Sequence, residues 1–133
     1  MFIVEYSENL KSILRGENIS RQEKLKIITF GTTFLEVGLK NFKHYDGKIK
    51  QSADKKKQSE SEYNYCINFS FWHYHVGHPN YVSKIDPDDG FKYKTSDYLL
   101  HFCWDRMNLP NQIFLVDYTP HSVNNKFPIP DIG

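Results

Sequence analysis

Hydrophobic and polar positions change their period twice along the chain. From residue 20 to about residue 42 apolar side chains recur every three to four positions. Ile27, Phe30, Phe34 and Val37 form one row, and Ile28, Leu35, Leu39 and Phe42 form its neighbour. This spacing predicts one long amphipathic helix with a broad apolar face. Ser20 and Glu23 supply the S-x-x-E capping box that satisfies first-turn N–H groups and marks its start. Gly31, Thr32 and Thr33 weaken helix in mid-segment and predict a bend near Gly31. Ahead of it, "MFIVEY" is a short β-branched run, either a first strand or the lead-in to a helix through "SENLKSILRG" that Gly16 ends.

Between residues 46 and 62 the periodicity disappears, and "DGKIKQSADKKKQSESE" predicts a polar loop. Beyond it the pattern is that of strands. "YNYCINFSFWHYHV" (63–76), "DYLLHFCW" (97–104) and "QIFLVDY" (112–118) are aromatic and β-branched, separated by segments rich in Gly, Pro, Asn and Asp. Three antiparallel strands follow. The last two runs are apolar on both alternations, which suits central strands covered on both faces, one of them by the long helix. The tail from about residue 119 has three prolines and is expected to be extended. The expectation is an α+β fold: one small domain over residues 1–133, an antiparallel sheet meander with the N-terminal helices packed on one face.

Composition narrows the function classes only a little. A chain of 133 residues with 39% apolar and 16% aromatic residues can bury one real core but not two. The net charge of +1 decides nothing about nucleic acid, but the distribution is uneven. Residues 1–62 hold twelve Lys or Arg against nine Asp or Glu, and residues 63–133 hold five against seven. The loop can therefore be a solvated linker or a basic arm, Lys48, Lys50 and Lys55, Lys56 and Lys57, that touches phosphates. No long apolar segment or secretory signal pattern is visible, so neither membrane attachment nor export is expected, and the default location is cytoplasmic. Cys66 and Cys103 lie in apolar runs without C-x-x-C spacing, the pattern of buried reduced thiols.

Candidate chemistry centres on "FWHYHVGHPNY", which holds three of the six histidines. His73 and His75 are two apart, so on a strand they share a face and could chelate one ion with His78, His101 or Asp117. No Glu follows in "VGHPNYV", and the same parity carries Phe69 and Phe71, so these imidazoles can equally line the end of an apolar face. No metal or other cofactor is assigned. Metal-free cleavage of RNA asks for a base at the 2′-hydroxyl, an acid at the leaving oxygen and cations around the transition state. His73, His75, Lys92, Lys94, His101, Tyr118 and His121 sit where strands are expected to end. His101 in "LLHFCW" is more simply a core residue, and His121 is the most exposed candidate. A different class is a non-enzymatic module that docks a protein through Phe69, Trp72, Tyr74, Tyr98 and Trp104, since aromatics anchor interfaces.

The ordered set "WHYHVG", "KTSDYLLHFCW" and "IFLVDYTPH" resembles the YafO branch of RelE-like toxins of bacterial toxin-antitoxin systems. The similarity spans roughly residues 20 to 125. It rests on His73 and His75, on Lys94, Thr95 and Asp97, and on Pro120 with His121. The resemblance implies a RelE-like α/β fold and a metal-independent endoribonuclease that cuts mRNA on the ribosome and is restrained by a cognate antitoxin protein. Together with the strand-end groups above, this reading takes His75, His121, Lys94, Tyr118 and His73 as catalytic residues. Substrate contacts fall to Lys92, Thr95, Lys55, Lys56 and Lys57. Two features depart from the family: the low net charge, and a single lysine, Lys126, in the tail after His121.

Overall fold

A computed structural model describes residues 1–123 and 126–132 of the chain. Strand β1 (Ile3–Tyr6) leads into helices α1 (Glu8–Arg15) and α2 (Arg21–Val37), then strand β2 (Ile49–Gln51) and helix α3 (Glu60–Asn68). Strand β3 (Phe71–His75), a hairpin of β4 (Val82–Ile85) and β5 (Lys92–Thr95), and strands β6 (Tyr98–Cys103) and β7 (Gln112–Pro120) complete it. The main sheet has the order β1-β7-β6-β3-β2, and the hairpin stands apart as its own two-stranded sheet. The fold is α+β. The sheet is mixed rather than wholly antiparallel, because β1 joins β7 in parallel, Ile3 opposite Gln112 to Tyr6 opposite Leu115.

Local chemistry explains α2. Ser20 accepts from the Glu23 N–H and Glu23 accepts from the Ser20 N–H, the reciprocal cap expected from the sequence. The helix continues through Gly31 because that residue is a contact point rather than a breaker. A Cβ there would lie 2.5 Å from the Tyr6 hydroxyl of β1. Within α2 only one of the two apolar rows is used: Ile27, Phe30 and Phe34 are buried, whereas Ile28 and Leu35 are 45% and 52% exposed, and the second row joins the core only past the helix end, at Leu39 and Phe42. The buried row meets Trp72, Tyr74, Leu100, Phe102, Ile113, Leu115 and Tyr118 on one sheet face. Phe30 lies at its centre, 4.6 Å from the Tyr74 ring and 5.2 Å from Phe102. Truncating such a residue to Ala costs about 3–5 kcal/mol.

Two predicted elements are corrected. The run at 63–76 is only half strand: Ser59 and Glu62 form a second capping box that starts α3, and β3 begins after Ser70, whose φ is 52°. The polar loop at 46–62 contains β2 and the first residues of α3. β2 is three residues long, too short for alternation to register, yet it pairs with β3 and buries Ile49. The aromatics considered as docking anchors are mostly core, with Trp72, Tyr74 and Trp104 at 5%, 8% and 3% exposure beneath the helices.

A bulge in β7 assigns the opposite face. Phe102 pairs with Leu115 and His101 with Asp117, so Val116 is an extra residue. Leu115 and Tyr118 therefore both face the helices, and Asp117 and Thr119 fall on the side of His101 and His73. Half of this second face is closed by α3 and the C-terminal segment, through Cys66, Phe71, Val116, Ile129 and Ile132. Both cysteines are free thiols. The other half opens into a cleft.

Candidate active site

The cleft, about 790 Å³, is floored by β3 and walled by the β4–β5 hairpin on one side and the chain after β2 on the other. Alternation delivers the residues. His73 and His75 sit on the β3 face turned away from α2, His101 pairs with His73 across the sheet, and His121 follows the last residue of β7. The hairpin contributes Val82, Lys84, Tyr93 and Thr95 by the same rule, and the segment around β2 contributes Lys48, Lys50, Ser52 and Lys57.

His75 is the most constrained. Its Nδ1 lies 3.0 Å from both the backbone N–H and the C=O of Ser96, so it can accept from the one or donate to the other. Ser96 is itself anchored: its hydroxyl accepts from the Gly77 N–H and donates to the Tyr98 carbonyl. The His75 N–H donates to the Lys48 carbonyl and its C=O accepts from the Tyr81 hydroxyl. Gly47 closes this corner, since a Cβ there would collide with the His75 carbonyl oxygen. Nδ1 being engaged, Nε2 is the nitrogen left for a ligand. Burial first of all, then the positive charges of the cleft, push this imidazole down to about 4, although the Ser96 contact works the other way.

His121 stacks on His75 with ring centroids 5.5 Å apart, and its N–H donates to the Asp97 carbonyl at 2.6 Å. Burial, Lys84 and Lys57 lower its pKa, and Asp97 opposes them. His73 bonds the Ser52 hydroxyl through Nδ1 at 2.9 Å and packs on Phe127 at 4.8 Å. Burial and then its histidine neighbours hold it well below the ordinary histidine value. His101 is fully buried, and burial pushes it to about 3. The Thr119 hydroxyl donates to the Pro120 carbonyl, so it accepts from His101 Nε2–H at 2.7 Å, and Nδ1 is left buried without a partner among the described residues.

Four lysines against Asp54 and Asp97 make the cleft cationic. Lys48 also lies over the Tyr93 ring at 4.2 Å, and burial followed by the Lys50 charge lowers its pKa. Such a surface favours an anion beside neutral imidazoles. Among the described residues no three His, Cys, Asp or Glu side chains converge where a metal ion could be held.

Of the residues singled out in the sequence, His73, His75, His121, Lys48, Lys50, Lys57, Thr95, Asp97 and Pro120 line the cleft. Lys92 and Lys94 do not: they alternate onto the other side of β5, and Lys94 lies 5.9 Å from the Tyr81 ring. Lys55 reaches the Tyr63 ring instead, and Lys56 is exposed outside the cleft. Tyr118 is on the wrong face; its hydroxyl donates to Glu23 Oε2 at 2.7 Å beneath α2. His78 lies near Glu23 as well, 3.6 Å from Oε1. Lys84, Ser52, Ser96 and Phe127 were not foreseen. Lys84 shares parity with Val82 in "VSKI", the one signal that could have found it. No protein-family model, curated protein or solved structure matches the chain.

Proposed function

We propose that the cleft is the active centre of a metal-independent endoribonuclease that cuts mRNA by transesterification. The observation that carries this reading is the stacked pair His75 and His121, 5.5 Å apart inside a lysine-lined cleft. His75, neutral at physiological pH, takes the proton of the RNA 2′-hydroxyl. The 2′-oxygen then attacks phosphorus and the bond to the 5′-oxygen breaks, leaving a 2′,3′-cyclic phosphate. His121, beside Asp97, delivers the proton to that 5′-oxygen. A bound phosphodiester places negative charge beside His121, which raises its pKa and favours the protonated form that an acid needs. Lys48 and Lys84 offset charge on the phosphorane-like transition state. Burial keeps His73 neutral and suits it to a contact with substrate. The resemblance to RelE/YafO toxins extends the proposal: the substrate is mRNA on the ribosome, in the cytoplasm, and an antitoxin protein is the natural restraint.

RNA cleavage with and without ribosomes, followed for the parent, His75→Ala and His121→Ala, tests the reading. Each substitution should cost about 10²–10⁴ in rate, the usual worth of a general acid or base. End-group analysis should find cyclic phosphate. A parent that cuts neither free nor ribosome-bound RNA, or variants as active as the parent, would overturn it.

A further inference from the structure

The apolar row of α2 that the core does not use is a feature in its own right. Leu25, Ile28 and Leu35 are 63%, 45% and 52% exposed. With Arg21 and Thr32 they occupy positions 21, 25, 28, 32 and 35, a 4-3-4-3 spacing that lays a straight seam along a helix of 17 residues, roughly 25 Å long. The Thr32 hydroxyl donates to the Ile28 carbonyl of its own helix at 3.0 Å, so this polar group is satisfied without water. Seams of this spacing pack against another helix.

We propose that the seam docks a second copy of this chain, α2 against α2 and antiparallel. Charge selects the occupant and the direction. Arg21 and Glu36 stand at opposite ends of the exposed face, and among the described residues neither has an ion-pair partner within the chain. About a two-fold axis between Ile28 and Thr29, Arg21 of one copy meets Glu36 of the other at both ends. A parallel arrangement sets like charges together. The same axis opposes Leu25 to Thr32, Ile28 to Thr29 and Leu35 to Gln22, each large apolar residue against a smaller or flexible one, the condition for interdigitation. The surface lies on the far side of α2 from the sheet, so the dimer leaves the cleft open and does not depend on its chemistry.

One helix pair sits at or below the low end of the ~1,200–2,000 Å² that stable complexes bury, so the dimer is expected to be weak and to form on the order of 10–100 µM. Sedimentation equilibrium of the full chain over rising concentration measures it. Leu25→Glu with Leu35→Glu should weaken dimerisation at least about tenfold with an unchanged circular dichroism spectrum, since exposed positions seldom affect the fold. Arg21→Glu and Glu36→Arg each break both symmetric pairs and should weaken it roughly three- to thirtyfold, more so at low salt. The two together restore the pairs with reversed sign and should bring affinity back near the parent value. A parent that stays monomeric to millimolar concentration overturns the proposal, including the case in which a different helical protein binds the seam. So does a double charge reversal as weak as either single one.

Discussion

Tyr118→Phe separates a residue that supports the fold from one that performs chemistry. The change removes one hydroxyl and leaves the ring, so the stack on Tyr98 at 5.4 Å and the packing under α2 persist and no cavity opens. What is lost is a 2.7 Å bond to the Glu23 carboxylate, both partners buried. Hydrogen bonds to an ionised acceptor contribute about 1.5–3 kcal/mol, and Glu23 keeps its Ser20 N–H bond at 2.9 Å, so a loss of about 2 kcal/mol is expected. For a chain of this length that is a Tm decrease of roughly 6–10 °C. The loss should depend on pH. Burial raises the Glu23 pKa, but the Ser20 and Tyr118 hydrogen bonds outweigh it and the folded value lies below the ordinary one. Stability from this carboxylate is present above the unfolded value of about 4.3 and disappears as pH falls through the lower folded value. The difference between parent and variant is therefore largest near neutrality and shrinks in acid. Urea titration at several pH values, with the buried Trp72 and Trp104 as fluorescence reporters, measures it. RNA cleavage should stay within about threefold of the parent, since no reacting group is touched. A hundredfold loss of cleavage with unchanged stability would refute the assignment of Tyr118 to the core.

The remaining predictions concern the buried imidazoles. His101→Leu removes the unpartnered Nδ1 while Thr119 keeps its bond to Pro120, so stability should hold or rise by about 1 kcal/mol; a loss above about 2 kcal/mol would mean that Nδ1 has a partner after all. His73, His75 and His101 all have folded pKa values below their unfolded value of about 6.5. As pH falls below about 6.5 the unfolded state binds protons that the folded state refuses. Stability should drop from there toward pH 4, by up to about 1.4 kcal/mol per pH unit for each imidazole. Asp117, which burial raises, acts with the opposite sign as pH falls toward its unfolded value of about 3.9. A urea midpoint unchanged between pH 7 and pH 5 would contradict neutral burial, and His101→Leu should make the slope shallower by one proton.

Sequence and structure agree where the information is local. Ser20 and Glu23 are three residues apart and cap each other, and the period-two spacing of His73 and His75 suffices to put both on one face. Agreement fails where a distant partner decides. Tyr118 shares its strand with expected site residues, but the bulge at Val116 turns it toward α2, and only the pairing with β6 reveals that extra residue. Ile28 and Leu35 have the same spacing as Ile27 and Phe34, and nothing in the helix says which row the sheet will cover. Lys92 and Lys94 were chosen for charge and strand-end position, whereas the hairpin's parity delivers Lys84, Tyr93 and Thr95 instead. Ser59 and Glu62 cap α3 three residues apart just as Ser20 and Glu23 cap α2, a local signal that the strand expectation for the aromatic run does not use.

The parallel pairing of β1 with β7 orders events during synthesis. Ile3 waits for Gln112, so β1 emerges without its neighbour and stays unpaired until β7 is made. Contacts of such long sequence separation close late and slow folding. His121 comes later still, one residue beyond β7. A nascent chain therefore carries β1 as an open strand edge, and its cleft is completed only once β7 and His121 have left the ribosome that is making it.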